Sequence, residues 1–83
     1  MNSLKDMINT VVCSIVDNLE KVSIVETEEE SGVLFEIQVG KDDAGKLIGK
    51  GGRIASALRT LAKAAGAKQG KRVMLNVHKD PAE

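Results

Sequence analysis

The stretch Leu47-Ile48-Gly49-Lys50-Gly51-Gly52-Arg53 decides how the rest of the chain is read. Three glycines and two cations occupy five consecutive positions, between an apolar pair and a run with helical periodicity. Glycine has no Cβ, so it takes positive φ at little steric cost and lets a second backbone come close. Between two helices, such residues predict a tight bend with outward-facing amides, and amides at a helix N-terminus suit an anion, most often a phosphate. Lys50 and Arg53 add mobile positive charge on either side. Two readings compete for the stretch: a grip on a phosphodiester backbone, and a helix-turn-helix connector whose glycines serve steric needs alone. The flanking sequence separates them.

Downstream, apolar or small residues at Ile54, Ala57, Leu58, Leu61, Ala62 and Ala65 predict a helix, with Gly66 as its natural stop. Arg59 and Lys63, four apart, mark its basic exposed face. A loop over 67–71 leads to a last strand over 72–78, with Val73, Leu75 and Val77 inward. Upstream, Asp42 or Asp43 is placed to cap a short helix over 43–48. Before it, β-branched residues predict strands over 22–27 and 33–39 around the polar turn Glu28-Glu29-Glu30-Ser31-Gly32. In the second strand Val33, Phe35, Ile37 and Val39 share one face, and Leu34, Glu36 and Gln38 the other. The N-terminal segment places Leu4, Met7, Ile8, Val11, Val12, Ile15, Val16 and Leu19 on one helical stripe. Ser3 and Asp6 have the spacing of a capping box at its start.

The predicted order is therefore α-β-β-α-α-β: an α+β, two-layer sandwich with helices on one face of a three-stranded mixed sheet. The first two strands form a hairpin, and the helix pair returns the third strand parallel to strand two. Eighty-three residues make one domain, taken as 1–79 with a frayed tail over 80–83. The one cysteine forms no internal disulfide, and with a single histidine it makes no structural zinc site. No membrane-length apolar run or signal-peptide pattern is present, so a soluble, cytoplasmic chain is expected. The zero net charge conceals a segregation: residues 1–43 carry −7 and residues 44–83 carry +7. The basic half starts just before the glycines, which favours a partner of negative charge.

With this strand order, Ile48-Gly49-Lys50-Gly51-Gly52 between a short helix and a longer one resembles the GxxG signature of the KH domain. The arrangement resembles the type II, bacterial form over nearly the whole chain. More narrowly, the chain is similar to the small single-domain KhpA-type RNA-binding proteins, densely so through Leu47 to Arg59. Ala55 stands where the wider KH family often carries Ile, with Ile54 beside it. The resemblance implies non-catalytic binding of single-stranded RNA, the loop clamping about four backbone nucleotides beside an apolar groove. Carried over by position, Gly49 and Gly52 are the signature glycines and Lys50 and Gly51 the variable pair. Arg53 and Lys46 would supply charge; Leu47 joins the set as groove or core, while Ile48 is read as core. The family further implies a homodimer or a heteromer with a Jag/KhpB-type KH protein. It also implies RNA chaperoning or post-transcriptional regulation linked to cell-wall growth and cell shape. The alternative is a KH-shaped protein-interaction module without RNA binding.

Enzyme chemistry finds no support. Gly40 to Lys46 nearly spells a P-loop, but Leu47 replaces the magnesium-binding hydroxyl and Asp42-Asp43 would repel a triphosphate. His78 has no nucleophile or acid in a catalytic arrangement. No catalytic residue, metal, cofactor or small-molecule substrate is implied. With Phe35 as the only aromatic residue, base stacking of the RRM or OB-fold kind has nothing to carry it.

Overall fold

The computed structural model describes residues 3–79; the side chains of Ser3 and Lys50 and residues 80–83 lie outside the described residues. The Ser3 half of the capping box and the tail over 80–83 therefore fall outside it as well. Helix α1 spans Ser3–Ile15 and is followed by a single 3-10 turn, Leu19–Lys21. Strands β1 (Ser23–Glu29) and β2 (Gly32–Val39) form the antiparallel hairpin, and β3 (Val73–Lys79) pairs parallel to β2. Strand β2 is central, in the order β1-β2-β3. Helical residues run through Lys41–Lys68 between β2 and β3. Within that run Gly51 and Gly52 have φ of +75° and +71°, which no right-handed helix accommodates. They divide it into α2 (41–50) and α3 (53–68), giving the α-β-β-α-α-β order and the mixed sheet of a type II KH-like fold.

The periodicity of α1 explains its packing. Leu4, Ile8, Val12 and Val16, each four apart, are buried, and Met7, Val11 and Ile15 pack beside them. Leu19 does not continue the stripe: α1 ends four residues earlier, and Leu19 is 57% exposed in the 3-10 turn. Val33, Phe35, Ile37 and Val39 all point into the same core, joined by Val73 and Leu75 from β3. Helix α3 contributes Leu58 and Ala62; Leu61, placed on the buried stripe by the sequence reading, is instead 54% exposed, and Ala57 is exposed too. Ala55, not Ile54 alone, is the residue buried at the head of α3. The face is set by 55, 58, 62 and 66, because the small residues let α3 approach β3 closely.

Gly66 is accordingly not the helix stop. A Cβ there would lie 2.2 Å from Val73 Cγ2, so the residue is glycine to admit β3. The helix continues to Lys68 and closes on Gly70, at φ +73°. Lys71 N–H donates to the Gly66 carbonyl at 2.8 Å and Gly70 N–H to that of Ala67 at 3.0 Å, the paired bonds of a Schellman cap. At the other end of the helical run Gly40, not an aspartate, occupies the N-cap position.

Candidate nucleic-acid interface

Two kinds of glycine stand out in this chain. Gly32 and Gly66 are pressed against neighbouring atoms, whereas a Cβ at Gly45, Gly49, Gly51 or Gly52 would meet nothing within 4 Å. The loop glycines therefore serve no internal packing. Gly51 and Gly52 are needed for their left-handed backbone, and that backbone stands open to whatever approaches. The helix α3 begins immediately after them, with the partial positive charge of its first turn at the loop.

Two hollows flank the bend. One, of about 450 Å³, runs between Ile48, Gly51, Gly52, Ala55, Ser56 and Arg59 on the helical side and Asn76, Val77 and His78 on β3. Its lining mixes apolar Ile48, Ala55 and Val77 with polar Ser56, Asn76 and His78. The other, of about 400 Å³, is lined by Ile15, Gly45, Lys46, Gly49, Arg53 and Ile54. The sequence-assigned site is thus shared out: Gly51 and Gly52 face the first hollow, Gly49, Arg53 and Lys46 the second. Arg53 is exposed. Lys50 holds the bend's backbone between them, its side chain lying outside the described residues.

Leu47 takes the core side of its two readings, and Ile48, read as core, is the residue that leaves it. Leu47 is fully buried in the core, so its side chain cannot line a groove, and Ile48 is 49% exposed and does line one. Adjacent helical residues point about 100° apart, so a small error in the assumed face of α2 swaps the two. Ala44 is buried beside Leu47.

Lys46 is a cation already engaged. Its ammonium is hydrogen-bonded to the Asp17 carboxylate and lies 3.4 Å from Asp43 Oδ1. Asp43, only 3% exposed, accepts the backbone N–H groups of Asp17 and Asn18, both at 3.0 Å. The aspartate expected to cap α2 thus reaches across to hold the end of α1. Those two backbone hydrogen bonds, with Lys46, keep the Asp43 carboxyl below the ordinary range, and the Asp17 carboxylate raises the Lys46 pKa. The cluster locks α2, and with it the glycine bend, against α1. Because the folded pKa of Asp43 is depressed, its stabilisation is present above the ordinary value of 3.8 and lost as pH falls through the folded value. Asp43→Asn is expected to lower the melting temperature by several degrees at pH 7, and the gap to the unmodified chain to close in strong acid. Thermal unfolding followed by circular dichroism across that range checks both; a gap independent of pH would remove the carboxylate's charge from the account.

Arg59 donates its Nε–H to the Leu75 carbonyl at 3.1 Å, so it covers the free edge of β3 as well as lining the groove. His78 sits on the same edge strand, 3.9 Å from Glu36. Neither Asn76 nor His78 stood out as a groove residue in the sequence; strand alternation puts both on the face opposite the core, and only the folded structure brings the edge of β3 beside the glycine bend. The charge segregation along the chain is also not a segregation in space. Glu28, Glu29 and Glu30 share a hollow of about 200 Å³ with Lys71 and Arg72, because parallel pairing brings the start of β3 to the hairpin tip. No helix among the described residues is long and apolar enough to cross a membrane.

The family model for the KH domain of KhpA and KhpB matches residues 5–77. Over 77 residues the chain is 47% identical to the RNA-binding protein KhpA of Aquifex aeolicus, covering 93% of this chain and 98% of that one. It is 45% identical over 74 residues to the RNA-binding protein KhpA of Oceanobacillus iheyensis, covering 89% and 99%. It is also 40% identical over 74 residues to the protein of that name from Clostridium acetobutylicum, covering 89% and 99%. A bend of two left-handed glycines, a β-α-α-β core and matches of this length lead to one assignment: the chain belongs to the KhpA/KhpB KH-domain family.

Proposed function

We propose that this protein binds single-stranded RNA, without catalysis, by seating the sugar-phosphate backbone on the Gly49-Lys50-Gly51-Gly52 bend and the bases in the groove between α3 and β3. The observation that carries this reading is the left-handed backbone of Gly51 and Gly52, where an added Cβ would meet nothing within 4 Å, on the wall of a groove lined by both apolar and polar side chains. Lys50 and Arg53 supply charge to the strand. Lys46 plays a lesser part, since it is paired with Asp17, and Leu47 supports from below. The curated relatives carry the name RNA-binding protein, in keeping with the reading.

Following the family, the protein acts as an RNA chaperone or post-transcriptional regulator in the cytoplasm, in a pathway tied to cell-wall growth and cell shape. It pairs with a second copy or with a Jag/KhpB-type partner, and pairing raises the effective affinity of a weak module without new contacts. The exposed Leu61 lies on the flank of α3 turned away from the groove, which leaves room for such a partner. Three or four phosphate contacts imply a log–log salt slope of about −2 to −3 on a short single strand. Titration of pyrimidine-rich and purine-rich oligonucleotides at two salt concentrations measures it. A slope near zero, or no binding, would leave a KH-shaped protein-interaction module as the better description.

A further inference from the structure

The fold treats the two edges of its sheet differently. Over β3, Arg59 reaches from α3 to the Leu75 carbonyl. Nothing comparable covers β1: among the described residues, Ser23, Ile24, Val25, Thr27, Glu28 and Glu29 make no hydrogen bond or ion pair outside the β1–β2 hairpin. In an antiparallel pair, alternate residues bond the neighbouring strand, and those between them turn their N–H and C=O groups outward. Strand β1 therefore offers an unpaired ladder along its seven residues, a length of about 20 Å. It pairs with β2 residue for residue from Ser23 to Glu29, without a bulge, and contains no proline or lysine. Those are the devices that usually blunt an edge.

The side chains of β1 fall into two rows. Val25 and Thr27 stand on the open face of the sheet, opposite Glu36 and Leu34, and both are exposed. Ile24, Glu26 and Glu28 stand on the helix side, opposite the buried Ile37, Phe35 and Val33. Glu26 is half-buried and already engaged within the chain, whereas Glu28, Glu29 and Glu30 are exposed. Lys71 and Arg72 share the hollow at the hairpin tip with these three glutamates. Even so, no cation among the described residues comes within ion-pair distance of them. The edge is open along its length and negatively charged toward the tip.

We infer that the free edge of β1 is a docking site for an extended, basic segment of a partner protein, which adds to the sheet as a further strand. Charge selects this occupant. Pairing β1 with the same strand of a second copy would put Glu26, Glu28 and Glu29 of both chains on one ribbon, and like charges across strands are destabilising. A nucleic-acid strand is repelled by the same carboxylates. A cationic strand gains from them, and main-chain hydrogen bonds supply the rest of its affinity. The two rows specify its pattern: lysine or arginine beside Glu26 and Glu28, alternating with β-branched residues beside Val25 and Thr27. Strand β2 separates β1 from β3, so the added strand leaves the glycine bend open, and the inference stands apart from the RNA-binding reading.

The test titrates the full, isotopically labelled chain with a capped peptide as long as β1, alternating lysine with valine or threonine, and follows the amide NMR shifts. A second peptide of the same sequence carries N-methyl groups along its bonding edge, so it keeps every charge and cannot complete the ladder. The first peptide is expected to shift the amides of residues 23–29 with a Kd below about 1 mM, and the methylated one to bind at least about tenfold more weakly. Glu28→Lys/Glu29→Lys, at two exposed positions, is expected to weaken the unmethylated peptide by about tenfold. The comparison of the two peptides needs no variant and decides the matter if the variant misfolds. Equal binding of the two peptides overturns the proposal, because the contact is then charge alone without an added strand. So do shifts that map away from β1, or none at about 1 mM peptide; the glutamates would then only guard the edge. Shifts at β1 that grow with protein concentration in the absence of peptide overturn the choice of occupant in favour of a second copy.

Discussion

Replacing Lys50 and Gly51 together by aspartate is expected to weaken single-stranded RNA binding by about 100-fold at moderate salt while leaving the far-ultraviolet circular dichroism spectrum unchanged. The size follows from losing about two charge-assisted contacts, at roughly 1.5 kcal/mol each. Two carboxylates facing a phosphate add repulsion. Survival of the fold follows from geometry. A Cβ at Gly51 meets no atom within 4 Å, and its φ of +75° lies in the region that Asp tolerates better than most residues. The core is remote from the change, since Leu47 and Leu58 anchor the helices on either side of the bend. Fluorescence anisotropy with a labelled oligonucleotide gives the affinity. Binding within about twofold of the unmodified chain would move the function from the bend to protein interaction.

Gly32→Ala is expected to be the most destabilising small substitution in the chain. A Cβ there would lie 2.0 Å from the Arg72 carbonyl oxygen and 2.9 Å from Arg72 Cβ, at a φ of +152° that side chains rarely adopt. That carbonyl accepts the Val33 N–H at 2.8 Å, so the clash falls where β2 and β3 first engage. A backbone atom cannot swing aside as a lysine tip can. Overpacking costs about 1–3 kcal/mol, and the disfavoured backbone adds to it, for a total of at least about 3 kcal/mol. For a domain of this size that corresponds to a fall in melting temperature of about 15 °C. Gly45→Ala is the matched control: it lies within α2 with open space around it, and should stabilise by up to about 1 kcal/mol through helix propensity. Thermal unfolding of both variants decides the matter; equal melting temperatures would mean that the hairpin end yields more readily than its hydrogen bond suggests.

The same comparison explains how much of the molecule is legible in its sequence. Helix α1, the hairpin and β3 follow from periodicity, because burial of one face imposes a spacing that a one-dimensional reading detects. The parallel return of β3 follows from connectivity: two helices between strands carry the chain across the sheet and back. Less accessible was the facing of individual residues in the two later helices. Leu47 and Ile48 differ by one position, and both suit a core. Leu61 and Ala62 pose the same ambiguity in α3, and the sheet selects the alanine because small residues allow the close approach that Gly66 completes. Asp43 looked like a cap because acids at helix starts usually are; its real partners are 25 and 26 residues away in sequence, where no local pattern reaches.

Local chemistry, carried by the order of residues, determined the element types, the mixed three-stranded sheet and the presence of a glycine bend with charge beside it. Tertiary packing decided which glycines are open and which are pressed, which of the cations are engaged and which are free, and that α3 and β3 together wall a groove. The reason is physical. Propensity and periodicity act over a few residues along the chain, whereas exposure, ion pairing and concavity depend on the distances between segments that meet only when the sheet and helices close on one core.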